Sequence, residues 1–218
     1  TPNPEVVNIV LTVEEGKTSR ISFSIGHGSQ SGWTGGAAYE EINHQGLGRK
    51  FTVGFEINDW EDLSNYWASY EEPYMDETHY RWRAKVYKYT WEDLIDIDDI
   101  RYDQDQRGIS LGAGKKFTHD PTLSWFVELD WHEVEFDVSH WPGYPDDPIP
   151  NQKKFIEGRN LSVTGTLSRN LIDPYLSYPK GEVQSLNVEQ GFFSPDDPSL
   201  GEMNYTKYWI EARYYWPL

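Results

Sequence analysis

A few short runs in this 218-residue chain carry residue types that do chemistry elsewhere, and each breaks down at a particular position. His132-Glu133-Val134-Glu135 begins like a helical zinc motif, in which two histidines one turn apart reach the same ion. The second histidine is missing here, and the segment alternates like a strand. Asp103-Gln104-Asp105-Gln106-Arg107-Gly108 has the acids and the glycine of a calcium loop, but Arg107 stands where an acidic ligand belongs and Gly114 where the closing glutamate should be. Glu128 and Asp130 are the residue types of a glycosidase pair, yet nothing around them separates an acid from a base. The six histidines are scattered without metal-ligand spacing. No nucleophile elbow, phosphate loop or dinucleotide fingerprint occurs. The sequence therefore predicts no enzyme activity, no metal and no cofactor.

The elements that carry these residues read as strands. In residues 160–168, Leu161, Val163 and Leu167 alternate with Ser162, Thr164, Thr166 and Ser168, one greasy face against one wet face. Asp173-Pro174 and Tyr178-Pro179-Lys180-Gly181 reverse the chain, and alternation resumes with Leu186 and Val188. The same grammar recurs at Ile21, Phe23 and Ile25; at Phe51, Val53, Phe55 and Ile57; and at Tyr66, Ala68 and Tyr70. It returns at Tyr80, Trp82, Ala84 and Val86, whose opposite face carries Arg81, Arg83 and Lys85. A small-residue strand spans 108–114. Leu123, Trp125, Val127, Leu129 and Trp131 oppose Glu128, Asp130 and His132, and the phase then flips to Val134, Phe136 and Val138, which predicts a bulge. Tyr208, Ile210, Ala212 and Tyr214 oppose Lys207, Glu211 and Arg213 in the last strand. Residues 93–106 read as an acidic loop and the run from Trp141 as a Pro-rich one. About ten strands result, with short turns and longer polar loops in alternation.

Composition points to a membrane. Hydrophobic residues make up only 37% of the chain, yet 16% are aromatic, with 10 Trp and 15 Tyr. A transmembrane β-barrel combines modest hydrophobicity, a polar lumen and aromatic girdles in this way. Trp125 and Trp131 bracket an apolar file as girdle residues do. A formal charge of −17 disfavours nucleic acid and anionic surfaces as partners. Cysteine is absent, and no apolar run is long enough for a transmembrane helix. The N-terminus lacks a signal peptide, so an envelope protein would be present here in mature form. The fold expected is all-β, an antiparallel up-and-down transmembrane barrel of which about ten strands are present. Its lumen would be lined by Arg81, Arg83, Lys85, Glu128, Asp130, His132, Glu211 and Arg213.

Several reversals also occur in a familiar order: Gly16-Lys17-Thr18 entering a strand, Asn43 to Gly46-Leu47-Gly48, Glu72-Pro73-Tyr74, Leu167-Ser168-Arg169-Asn170 and Tyr178-Pro179-Lys180-Gly181. In this the chain resembles the bacterial surface-antigen family, the outer-membrane-protein assembly factors of the BamA and TamA kind. The resemblance implies a larger barrel behind periplasmic POTRA domains, in the bacterial outer membrane, that inserts other outer-membrane proteins and opens at the seam between its first and last strands. Residues 1–17 would end a POTRA domain, and 18–218 would be the N-terminal part of the barrel. Turns at Asn43, Glu72, Asp120 and Tyr178 would be periplasmic, and the loops at Asp93 and Trp141 extracellular. The family's Val-Arg-Gly loop has no counterpart here, and Trp216-Pro217-Leu218 is not a terminal outer-membrane signature, so the chain is expected to be a first part.

Partners implied are the outer-membrane bilayer and unfolded outer-membrane protein clients. An open sheet would also close on itself or pair edge to edge with another copy, since lipid does not tolerate free strand edges. The client site would be the edge strand Ile21, Ser22, Phe23, Ser24, Ile25 and Gly26, which offers backbone groups to an incoming strand. Proline at Ser24 would block it. Two other readings remain open: a soluble β-sandwich that binds or hydrolyses carbohydrate on Trp82, Trp125 and Trp131, and a passive pore or secretion barrel.

Overall fold

The computed structural model describes residues 16–28, 32–58, 62–73, 80–95, 100–140, 155–172 and 180–216. The expected POTRA strand at 6–15, the Pro-rich run from Trp141 and the reversals at Asp173 and Tyr178 lie outside them. Alternating sequence becomes antiparallel ladder throughout. The strands are β1 (Ser19–Gly28), β2 (Gly32–His44), β3 (Arg49–Asn58), β4 (Asp62–Glu72), β5 (Tyr80–Ile95), β6 (Arg101–Lys116), β7 (Leu123–His140), β8 (Gly158–Asn170), β9 (Gly181–Pro195) and β10 (Met203–Tyr215). They form one sheet in sequence order, so every strand pairs with its chain neighbours, and β1 and β10 are its two edges. This is the up-and-down meander of a barrel wall. Among the described residues β1 and β10 do not pair with each other.

Register carries the apolar positions across all ten strands without a break. Phe23 lies opposite Ala37, Ala37 opposite Phe55 and Phe55 opposite Tyr66. Further along, Leu111 faces Leu129, Leu129 faces Val163, and Leu186 faces Ile210. The other face reads Ser, Thr, Gly and charge. Burial is inverted relative to a water-soluble domain: Ser110, Asn160, Ser162 and Asn187 are buried, while Leu129 is 43% and Val163 39% exposed. No second sheet covers the apolar face among the described residues, which removes the sandwich reading and its sugar cleft. Trp82, Trp125 and Trp131 stand on this outward face. Trp125 meets Tyr80 edge-on at 6.2 Å, and Tyr70 meets Trp82 at 5.2 Å, pairings of the kind that build an aromatic girdle.

The structure corrects three expectations. Of the expected acidic loop 93–106, residues 93–95 end β5 and 101–106 begin β6, paired through Ile95 and Arg101; residues 96–99 lie outside the described residues. Acidic residues there decorate strand rather than breaking it. The bulge after Trp131 is also absent: β7 pairs in constant register with β6 from Val138 to Ser124 and with β8 from Val134 to Leu123. What changes at Trp131 is the solvent. Outward positions turn from Trp125, Val127, Leu129 and Trp131 to Glu133, Glu135 and Asp137, as they do where a strand leaves the apolar layer. The span from Trp125 to Trp131 is about 20 Å at ~3.3 Å per residue. On the inward side Phe136 packs with Tyr102 and Phe155, with centroids 6.1 and 5.7 Å away. Ile100, only 1% exposed, is the most deeply buried large side chain described.

Loop lengths do not alternate as expected either. At the rim where the long connection 141–157 lies, β1 to β2 and β3 to β4 are joined by three residues each. The asymmetry resides in the strands: β5 and β6 have 16 residues and β7 has 18, against 10 in β1 and β3. At the other rim the turns are chemically defined. Asn43 accepts a 2.6 Å hydrogen bond at Oδ1 from the Gly48 amide, and Gly46 and Gly48 adopt φ of 72° and 68°, where a side chain would be strained. Asp120 closes the β6–β7 turn by accepting from the Thr122 amide at 3.0 Å.

Candidate functional site

The sheet is concave on its polar side. Lys50 and Thr52 of β3 line the same cavity of ≈ 560 Å³ as Glu128 and Asp130 of β7, four strands away. Glycine on one strand and an aromatic ring on the next shape this wall. A Cβ at Gly54 would fall 2.4 Å from the Trp67 ring, at Gly112 2.4 Å from Phe126 and at Gly191 2.1 Å from Tyr205. At Gly108 it would meet both His132 and the Tyr87 ring, within 2.7 and 2.9 Å. The rings lie flat over bare backbone, so large side chains fit on the crowded inner side of a curved sheet.

Of the residues expected to line a lumen, Arg81, Arg83, Lys85, Glu128, Asp130 and His132 meet on this wall. Register places Arg83 of β5 two strands from Glu128 of β7, with Gly112 of β6 between them. The missing side chain lets the two reach across and form an ion pair. Arg81 and Arg83 both lie over the Phe126 ring, at 4.9 and 5.2 Å. Lys85 sits over Tyr87 and Tyr89 at 4.8 and 5.1 Å. Tyr87 donates to Asp130 at 3.0 Å, Gln106 donates to the Tyr87 oxygen at 3.4 Å, and His132 Nδ1 is 2.5 Å from Asp130. Glu211 and Arg213 share the face but stand on β10, bonded to each other at 3.3 Å. The sequence reading missed Tyr87, Gln106, Phe126 and the inward glycines. Alternation puts them on the wet face, but only the register shows which glycine meets which ring.

Buried Ser110 and Ser162 stand opposite Asp130 on β6 and β8, and among the described residues no group of three or more His, Asp or Glu could hold a metal. Where the strands pass beyond the apolar layer, Arg107 grips Glu133 at 2.7 Å and Glu135 at 3.0 Å, and Arg159 reaches Glu133 at 3.4 Å. The Arg107 hydrogen bond, helped by the two positive charges, holds the Glu133 carboxyl below the usual glutamate range.

The edge strand is different. The Ile42 amide donates to the Thr18 carbonyl at 2.9 Å, and the same register continues through Arg20 and Glu40, Ser22 and Ala38, Ser24 and Gly36. Opposed residues alternate between hydrogen-bonded and non-hydrogen-bonded pairs. Ser22, Ser24 and Gly26 therefore spend their backbone groups on β2, whereas Ile21, Phe23 and Ile25 direct theirs to the open edge. The same three side chains are on the outward face and are 62%, 80% and 70% exposed. The six expected edge residues thus divide by parity into three that hold the strand and three that offer it. Ser24 belongs to the first group, so proline there would break β1 from β2 rather than block the edge.

An Omp85 superfamily domain matches residues 43–218. β1 and most of β2 precede that span. Among solved structures, 41 chains match. One is the crystal structure of BamA from Haemophilus ducreyi lacking POTRA domains 1-3, with a TM-score of 0.56 and 17% identity. The match covers 93% of this chain and 42% of that one, so the chain spans less than half its length. At that identity the likeness is one of fold. No curated protein matches the chain by sequence.

Proposed function

This chain belongs to the Omp85 superfamily and has the wall of an outer-membrane β-barrel, and from that premise we propose that it helps to insert other outer-membrane proteins by templating strands on β1. Residues 1–17 end a POTRA domain in this reading, and 18–218 form the leading part of the barrel, in a bacterial outer membrane. The observation that carries the proposal is the parity of β1. Ile21, Phe23 and Ile25 present paired N–H and C=O groups outward along an edge whose side chains match the apolar layer. An unfolded client strand gains ladder hydrogen bonds there without first stripping them from another strand. A slip of one residue would turn the client's wet face to lipid, so parity also sets register. No covalent chemistry is required. Glu211 and Arg213, with the β5 and β7 charges, line the lumen and hold the wall rather than the client.

The test is proline at two adjacent positions in the intact protein, with insertion of a model client into vesicles as the readout. Phe23→Pro removes a donor from the free edge only and is expected to abolish insertion while leaving the heat-dependent gel shift of the folded barrel unchanged. Normal insertion by a folded Phe23→Pro protein would falsify templating on β1.

A second reading, a passive pore or secretion barrel, is favoured by the ≈ 560 Å³ polar cavity with Lys85 and Glu71 on its wall. It predicts ion conductance that shifts on Lys85→Glu, with client insertion untouched.

A further inference from the structure

Beyond Trp131 the outward acids of β7 and β6 are matched by cations: Arg107 and Arg159 hold Glu133, and Lys88 pairs with Asp105. At the rim of the Asn43 and Asp120 turns the border of the apolar layer carries Lys115, Arg169 and Lys180. Lys115 is occupied by the Tyr80 ring at 4.8 Å. Arg169 is exposed and has no ion pair among the described residues. The Asp120 carboxylate, which accepts from the Thr122 amide and hydroxyl, is an electrostatic neighbour of Arg169 without bonding it.

Beside Arg169 the apolar face is dented. Leu123, Leu167, Leu186 and Ile210 line a depression of ≈ 310 Å³ with Arg169 and Gln184 at its polar end. Toward mid-membrane the next outward residue of β8 is Gly165, between Val127 and Val188. Nothing fills the space over Gly165: the nearest atom to a Cβ built there is the Val188 carbonyl oxygen at 3.9 Å. Inward Gly54, Gly108, Gly112 and Gly191 each receive a ring, but Gly165 has none. On the other side of Gln184, a second apolar depression is lined by Leu171, Tyr214 and Trp216 with Lys180 and Glu182 at its margin.

We propose that the outward face of β8 and β9 at the rim of the Asn43 and Asp120 turns holds one anionic phospholipid, its phosphate on Arg169 and an acyl chain along Leu167 and Leu186 toward the bare surface at Gly165. Guanidinium matches phosphate geometry in a way that a zwitterionic headgroup, carrying its own cation, satisfies less well. Chain and headgroup then occupy the apolar and polar ends of one site, and Lys180 adds positive charge next to it. The inference rests on the membrane reading of the outward face and fails independently of it.

The experiment is native mass spectrometry of the intact protein in mild detergent, with phosphatidylglycerol or phosphatidylcholine added. One phosphatidylglycerol is expected to be retained in preference to phosphatidylcholine. Arg169→Gln is expected to lower retention about tenfold, the effect of losing one charge-assisted contact. Gly165→Leu, which covers that bare surface, lowers it as well, and Lys115→Gln does not. If Arg169→Gln retains as much phosphatidylglycerol as the unaltered protein, or if both lipids are held equally, the contact is ordinary annular lipid and the site does not exist. Should Gly165→Leu fail to fold, the Arg169→Gln result still decides. A barrel that needs detergent yet ignores Arg169 sinks the lipid site and leaves the membrane reading intact.

Discussion

β1 and the β5–β7 staves belong to one sheet, but they are held in different ways. The three staves are tied across strands by Arg83 on Glu128, by Tyr87, Gln106 and His132 around Asp130, and by Arg107 on two glutamates. Phe126 and Tyr87 are seated in glycine gaps, so the ties are packed as well as polar. β1 has the backbone ladder to β2, an exposed ion pair from Arg20 to Glu40 at 2.6 Å and an edge-on contact of His27 with Trp33 at 5.0 Å. An exposed pair of this kind adds little. Its inward side chains, Ser22, Ser24 and Gly26, are too short to brace against anything across the concavity. Under the proposed templating function, a wall that must keep its shape and an edge that must accept a new neighbour call for these opposite constructions. Regions that move in function come from the weakly held end of a structure.

The largest effect expected from disturbing this contrast is at Ser24. Ser24→Pro removes a ladder hydrogen bond to Gly36 and should free β1 from β2 at a cost of about 3 kcal/mol, whereas Phe23→Pro should leave that pairing in place. Hydrogen exchange of the β2 amides separates the two, since Gly36 and Ala38 should lose protection only in the first variant. Equal loss in both would show that the parity is wrong.

Next is the braced wall. Gly112→Val would drive a methyl-bearing carbon into Phe126, 2.4 Å from its ring, and overpacking of this kind costs about 1–3 kcal/mol. It should lower the unfolding midpoint in detergent and weaken the hold of Arg81 and Arg83 on that ring. The same change at Gly165 on the outward face should leave stability nearly untouched. If both lower the midpoint equally, the two faces are not packed differently.

A smaller loss is expected from Glu128→Gln, which leaves Arg83 without its carboxylate and costs about 1.5 kcal/mol. Arg20→Gln, which removes the ion pair of β1 itself, should cost less than the error of the same denaturation experiment. A reversal of that order would mean that β1 is the better braced of the two.

Acid gives the smallest effect. Hydrogen bonds from the Thr122 hydroxyl and amide hold the Asp120 carboxyl below the usual aspartate range. A depressed carboxyl adds stability that is present above its unfolded value and lost as pH falls through the folded one. The β6–β7 turn should therefore loosen only in strong acid, seen as faster exchange of the Thr122 amide. Asp120→Asn should remove the pH dependence, and a turn that loosened on raising the pH would contradict the sign.

Much of this was legible in the sequence because the strand period is short and local. Phe51, Val53, Phe55 and Ile57 against Thr52, Gly54 and Glu56 define a strand whatever surrounds them, and the ten strands and their up-and-down order follow from ten such runs with reversals between them. Arg83, Glu128 and Asp130 were placed on the right face by counting twos. Counting failed where a face changed solvent instead of phase. Val134 and Phe136 looked like a flipped strand because apolar residues were assumed to face outward along its whole length, whereas above the apolar layer the outward positions become Glu133 and Glu135. It failed again at residues 101–106, where acids on a strand beyond the membrane resemble the acids of a loop.

The sequence by itself determined which residues share a face, because side chains alternate at every residue regardless of partner. Only the tertiary structure decided which strand each one meets. Register, which no local pattern encodes, brought Gly112 beneath Phe126 and let Arg83 reach Glu128 over it. It also decided that the backbone groups of Ile21, Phe23 and Ile25 are free and those of Ser22, Ser24 and Gly26 are spent: hydrogen-bonding parity is a property of a pair of strands, and one strand alone does not have it.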